Sequence, residues 1–225
     1  MALKLVIEFA ILMAFMAGLL FWPAGTFDWP GAWIFLSEFL ICGMAISLWL
    51  LRYDPALLRE RLSGAFQKGQ VFWDKVFMGL VSIFWFGWVV LMAFDAKRWS
   101  LFHMPEELIY AGAVLMAVGF FVIWLTFREN SFATTVIKIQ RERGQKVIST
   151  GPYSIVRHPM YAGGALYMIA MPLLLGSWIG LACLPLLIGG LMLRIPIEEA
   201  ALRKGLDGYD EYAARVRYRL LPFIW

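Results

Sequence analysis

Charge, histidine and cysteine are all scarce in this sequence. Charged side chains make up 16% of its 225 residues, against about a quarter in an ordinary soluble domain. With 61% hydrophobic residues and a mean hydropathy of +0.71, the chain has too little polar surface to coat a water-soluble globule. Its only cysteines, Cys42 and Cys183, each sit inside an apolar run. They exclude a disulfide framework or a CxxC metal or redox motif and read as small buried hydrophobes. The two histidines, His103 and His158, complete no His/Cys/Asp metal set. Internal repeats are missing too, which leaves an inverted-repeat transporter without support. There is also no separate basic domain to give the net charge of +4 a nucleic-acid meaning.

What is abundant is apolar and aromatic: 11 Trp, 18 Phe and 12 Met in long uncharged runs. About 20 apolar residues cross a bilayer as a helix. On that measure residues 5–22, 31–51, 71–94 and 107–127 are spans, followed by shorter runs at 160–175 and 178–196. Only Gly176 and Ser177 separate the last two, so they read as a tight helical hairpin. The first run has no small-residue cleavage site after a short apolar stretch and reads as a retained helix. The expected fold is therefore an all-α integral membrane protein of five or six transmembrane helices, with an amphipathic C-terminal helix. It is a single membrane domain over 1–225, with a span-rich part (1–127) and a polar-rich part (128–225). If six segments alternate, every Lys and Arg except Lys97 and Arg98 falls on one side, which the positive-inside rule makes the cytoplasm, together with both termini. Trp22, Trp29, Trp33, Trp73, Trp99 and Trp225 lie near span ends as headgroup anchors. Gly112, Gly119, Gly163, Gly164, Gly189 and Gly190 read as sites of close helix approach.

Polar residues concentrate at 128–161 and 194–219, both on the expected cytoplasmic side. In the first, Pro159 suits the first turn of a helix and leaves His158 just outside it. Tyr161, three residues on, shares a helix face with His158, an arrangement that could hold a planar, hydrogen-bonding ligand. A satisfied interfacial histidine is the plainer reading of the same residue, and His103 reads as a surface group. In the second cluster Arg194 and Glu198 are four apart at the end of a span, with Glu199 beside them. An arginine there either snorkels with a local ion pair or serves a ligand. The hairpin starts at His158 and returns at Arg194, so the two clusters can surround one pocket. Beyond it, Leu202, Leu206, Tyr209, Ala213 and Val216 recur at helical spacing, as in a lid or an interfacial helix weakened near Gly205 and Gly208. Glu38, inside the second span, reads equally as a substrate contact or an interhelical hydrogen bond. Glu8, one turn from Lys4, reads as a simple pair.

The run Gly151-Pro-Tyr153-Ser-Ile-Val-Arg157-His158-Pro159-Met160-Tyr161, the run Arg194-Ile-Pro-Ile-Glu198-Glu199 and the ending Tyr209 to Trp225 resemble the isoprenylcysteine carboxyl methyltransferase family and the related phospholipid methyltransferases. The resemblance covers roughly residues 125–225. It implies an S-adenosylmethionine-dependent methyltransferase, releasing S-adenosylhomocysteine, with a cytosolic site. The cofactor shell it implies is Gln140, Gln145, Lys146, Val147, Ile148, Tyr153, His158, Pro159, Met160, Tyr161 and Glu198. Arg194 would face the acceptor, and Arg194, Glu198 and Glu199 are the catalytic candidates; Glu38, outside the resemblance, stays a candidate substrate contact on its place in the second span alone. A carboxylate acceptor could be oriented by Arg194 without a base, whereas an amine or thiol must lose a proton, to Glu198, Glu199 or His158. Expected partners are a lipophilic or lipid-anchored substrate and membrane lipids, with no nucleic acid, no metal and no obligate protein partner. Phospholipid N-methylation and small-thiol S-methylation are the nearest alternatives. Membrane sterol reductases, which use NADPH, share the Arg-His-Pro-x-Tyr segment and an ending like Tyr218 to Phe223. A non-enzymatic scaffold or transporter would explain the spans but not the paired polar clusters.

Overall fold

The computed structural model describes residues 2–64 and 66–225. Among the described residues the regular structure is helical throughout: α1 (Ala2–Ala24), α2 (Pro30–Tyr53), α3 (Pro55–Arg61), α4 (Phe72–Ala93), α5 (Glu106–Glu129), α6 (Pro159–Leu175), α7 (Trp178–Ala182), α8 (Leu184–Gly205) and α9 (Tyr209–Arg215). Helix α4 continues as a π-helical turn over Phe94–Trp99. Five segments, namely α1, α2, α4 with its π turn, α5 and α7–α8, are long and apolar enough to cross a membrane. The chain is a multi-pass integral membrane protein. The 17-residue α6 spans about 25 Å at 1.5 Å per residue and also runs from one end of the bundle to the other. At one end His158 caps it, and at the other the Leu175 carbonyl accepts the Trp29 indole N–H at 3.2 Å.

Burial follows the bilayer rule that helices pack by close fit, since lipid offers no hydrophobic drive between them. Helix α6 packs most extensively on α5, where glycines let the backbones meet. A Cβ on Gly112 would lie 2.6 Å from the Leu174 amide nitrogen, one on Gly119 3.0 Å from the Gly163 carbonyl oxygen, and one on Gly163 2.8 Å from Ile123 Cγ1. Gly31, at the start of α2, closes on the Leu174 carbonyl oxygen from the other side. Gly164 and Gly189 face open space and Gly190 makes only ordinary contact with Phe77, so the expected packing role holds for half of the glycines singled out. The central core joins Leu20, Phe35, Trp88, Met92, Met116 and Met171, and the Trp88 indole donates to the Gly180 carbonyl at 3.0 Å.

The hairpin is looser than its two-residue link implies. Gly176 ends α6 at φ +73, and Ser177 caps the single-turn α7, accepting from the Gly180 amide at 2.9 Å while its hydroxyl donates to buried Asp95 at 2.7 Å. The returning arm therefore breaks at Cys183 before α8, and α8 contacts α4 as much as α6. Trp29, expected at the headgroups, is buried in the core because its N–H finds the Leu175 carbonyl, whereas Trp22, Trp33, Trp73 and Trp99 are exposed. Lys4 and Glu8 pair at 3.5 Å.

The α5–α6 seam yields the first test. Gly163→Val should lower the unfolding midpoint in detergent by an amount equivalent to about 1–3 kcal/mol, because the added carbons meet the Gly119 backbone. Gly164→Ala, one residue on with nothing within 4 Å, should leave it unchanged or slightly raised.

Candidate functional site

At the end of the bundle where α2, α5 and α8 finish, the polar segments fold over the helix ends. The loop after α5 is pinned to α4: the Val71 amide donates to the Ile137 carbonyl at 3.0 Å, and the Ile137 amide donates to Asp74 Oδ2 at 2.8 Å. The chain leading into α6 is pinned to the C-terminal segment, with the amides of Arg157 and His158 donating to the carbonyls of Tyr218 and Arg219, each at 2.9 Å. Between these lies a cavity. Its walls include Val136–Ile139, Gln145–Ile148, Tyr153, Arg157, His158, Met160, Tyr161, Arg194, Glu198, Leu202, Leu206, Tyr209 and Tyr212. Both polar clusters of the sequence thus face one space, with α9 and the end of α8 forming one wall.

Arginine 194 is buried, and its partner is Asp74, at the start of α4. Nε donates to Asp74 Oδ1 at 2.8 Å, Nη2 donates to the Thr135 carbonyl at 2.8 Å, and the guanidinium lies over the rings of Phe77 and Tyr161. Asp74 is itself fully buried and also accepts from Gln70 Nε2 at 2.9 Å. Among the described residues Arg194 makes its hydrogen bonds through Nε and Nη2 and none through Nη1. The expected local pair with Glu198 is not made. Glu198 instead accepts from the Tyr161 hydroxyl, with His158 Nδ1 4.0 Å away. The His158 and Tyr161 rings stack, 5.5 Å apart and 9° from parallel, as their spacing foretold.

Glu199 turns away from the cavity. One residue is a rotation of about 100° on a helix, and this swings the Glu199 carboxylate into a buried nest: Arg157 Nε at 2.9 Å, His158 Nε2 at 3.3 Å and Arg219 Nε at 3.3 Å. It holds three segments together and does not line the cavity, which corrects its expected catalytic place. Gln140 is fully buried behind the wall. Its amide donates to Gln145 Oε1 at 2.7 Å and its side chain donates to the Phe132 carbonyl at 2.9 Å, so it shapes the loop from outside the cavity. Pro159 is buried in the first turn of α6 and Glu38 lies within α2 toward the other end of the bundle; neither lines the cavity.

Three tyrosines complete the wall. Tyr153 Oη accepts from Asn130 Nδ2 at 2.8 Å, and the Tyr212 hydroxyl donates to the Tyr153 carbonyl at 2.8 Å. Burial pushes the phenols of Tyr153, Tyr209 and Tyr212 up, so all three stay neutral across physiological pH. The cavity lining thus combines an apolar, aromatic cluster (Val147, Tyr153, Leu202, Leu206, Tyr212) with charged side chains (Lys138, Lys146, Arg194, Glu198), of which Lys138 is paired with Glu60.

Residues 108–207 match the family model described as phospholipid methyltransferase. That stretch carries the α5–α6 seam, the loop wall, His158, Tyr161, Arg194 and Glu198. Protein-S-isoprenylcysteine O-methyltransferase B of Arabidopsis thaliana is 28% identical over 122 residues, 53% of this chain and 59% of that protein. A probable protein-S-isoprenylcysteine O-methyltransferase of Oryza sativa subsp. indica is 32% identical over 119 residues, 51% of this chain and 61% of that protein. The matched stretch in the C-terminal half of the chain is thus similar to phospholipid methyltransferases and to protein-S-isoprenylcysteine O-methyltransferases. The match spans about six-tenths of the length of these curated relatives. A methyltransferase of this family works with a methyl donor, and the cavity is where this half of the chain gathers its polar groups.

Asp74 is the site residue that the sequence did not disclose. An acid in the first turn of an apolar span reads as a complement to the helix dipole, and its distant partner leaves no local mark. Gln70, one turn before it, was the available hint. Asp74→Ala would leave Arg194 buried without a counter-charge, at a cost of about 3–5 kcal/mol. The expected result is a clear drop in the thermal unfolding midpoint, measured on detergent-purified protein.

Proposed function

We propose that this chain is an S-adenosylmethionine-dependent membrane methyltransferase acting on a lipophilic acceptor, an isoprenylcysteine-like carboxylate. The observation that carries this reading is the cavity at the end of the bundle, lined by Arg194, Glu198 and Tyr161 together with an apolar, aromatic cluster. The donor set suits the cofactor: Tyr153, Leu202, Leu206 and Tyr212 offer an apolar, aromatic surface for an adenine, and Lys146 offers a cation for an amino-acid carboxylate, Lys138 being paired with Glu60. Glu198 offers a negative charge to a sulfonium. The cofactor supplies an activated methyl group on sulfur, ready for in-line displacement.

What remains for the protein is to orient the acceptor and keep water out, and good orientation alone can supply about 7–11 kcal/mol. Arg194 is built for orientation. Asp74, Thr135 and the rings of Phe77 and Tyr161 fix its guanidinium, leaving Nη1 to hold an acceptor carboxylate. A carboxylate nucleophile needs no proton removed. Helix α8, which carries Arg194, also faces the lipid through exposed Leu186 and Leu193, so an acceptor with an apolar tail can lie alongside it. The excess of Lys and Arg at this end of the bundle supports a cytoplasmic active site and cytoplasmic termini. The family description favours phospholipid amines as the second reading; there Glu198, with His158 beside it, is the group placed to take the proton.

The test is transfer of labelled methyl from S-adenosylmethionine to an N-acetyl prenylcysteine, with phosphatidylethanolamine vesicles alongside. Labelling of the prenylcysteine supports the carboxylate reading. Labelling of the phospholipid alone moves the protein to the second reading, and labelling of neither contradicts both. Arg194→Lys keeps a cation for Asp74 but lacks the remaining fork nitrogens. Turnover should fall on the order of 100-fold, as for loss of one oriented donor, while donor affinity stays within about twofold of wild type. Glu198→Ala should do the reverse and weaken donor binding.

A further inference from the structure

Of the cavity's tyrosines, three have their hydroxyls engaged. Tyr153 is held by Asn130, Tyr161 by Glu198 and Tyr212 by the Tyr153 carbonyl. Tyr209 differs. It is 4% exposed, it lines the cavity, and its hydroxyl is buried with no hydrogen-bond partner among the described residues. Leaving such a group buried and unmade costs about as much as a hydrogen bond contributes when made, and a phenylalanine would fill the same space without that penalty. The ring is otherwise well held: it packs against Leu206, Tyr212, Ala213 and Val216, and its centroid is 5.8 Å from that of Tyr212. Gly208, at φ +81, adopts the left-handed turn that starts α9 and places Tyr209 at its first position.

We infer that the Tyr209 hydroxyl is a ligand-binding group, hydrogen-bonded to a polar atom of the adenosyl donor when the cavity is filled. This rests on the methyltransferase reading above and adds to it a binding residue that lies beyond the matched stretch 108–207. The bond ties α9 to the ligand, so the C-terminal segment is held from both sides: by Tyr212 on Tyr153 and Arg157 on the Ala213 carbonyl, and by Tyr209 on the occupant.

The probe is S-adenosylhomocysteine, titrated by calorimetry and by its shift of the unfolding midpoint, on wild type, Tyr209→Phe and Tyr212→Phe. For Tyr209→Phe the ligand-free midpoint should equal or slightly exceed wild type, since no bond is lost. Its Kd should rise about five- to tenfold, the effect expected for one lost hydrogen bond, with a matching loss of ligand-induced shift. Tyr212→Phe, which deletes a bond already made, should lower the ligand-free midpoint. If wild type binds and Tyr209→Phe binds equally well, the inference fails. It also fails if Tyr209→Phe lowers the ligand-free midpoint as Tyr212→Phe does, since the hydroxyl then has a partner within the protein. If wild type itself does not bind S-adenosylhomocysteine, the methyltransferase reading falls, and this inference falls with it.

Discussion

The buried carboxylate of Glu199 is the contact on which the polar end of this protein depends. A charge taken out of water is tolerated only when it is closely paired, and Glu199 meets that demand with Arg157, His158 and Arg219, drawn from the start of α6 and from the C-terminal segment. Arg203, a turn further along α8, lies at 3.9 Å. By satisfying one acid, the chain fixes where α8 stands relative to α6 and where the last residues lie. The neighbouring Glu198 is then turned by the helical rotation toward Tyr161 and the cavity. A second buried acid, Asp74, performs the matching task on the other wall, where it carries Arg194 and the loop at Ile137.

The bilayer dictates the rest. Helices in lipid gain little from apolar contact with one another, so α5 and α6 are joined through glycines that let their backbones touch. The irregular backbone around the cavity is then confined to the end of the bundle, where water and neighbouring segments can satisfy its amides and carbonyls. At the opposite end, Asp95 and Ser177 cap the break between α6 and α7. The two ends are unequal in content: one closes the bundle, and the other holds the cavity.

The spans were legible because hydropathy and length are enough to find a helix in lipid. The meeting of His158 and Tyr161 with Arg194 and Glu198 was legible too, since a short link between two spans returns the chain to its starting side. Partner choice was not. Arg194 lies 120 residues from Asp74, and no local spacing encodes such a pair. Nor could sequence choose between Glu198 and Glu199, because adjacent helix positions differ only in the face they present, and that face is set by tertiary contacts. Gln140 and Trp29 show the same limit in another form. The resemblance put Gln140 in a ligand shell and its residue type made Trp29 a headgroup anchor, yet each is buried with a carbonyl, of Phe132 or of Leu175, completing its hydrogen bonding.

We propose that the cavity between the loop wall, α6, α8 and α9 holds an adenosyl methyl donor. The most direct measurement is calorimetric titration of the detergent-purified protein with S-adenosylmethionine and S-adenosylhomocysteine, set against NADPH. Saturable one-to-one binding of both adenosyl compounds, weakened by Glu198→Ala and absent for NADPH, is the expected result. Binding of NADPH alone would contradict the account and make the Arg157–Tyr161 segment part of a dinucleotide site.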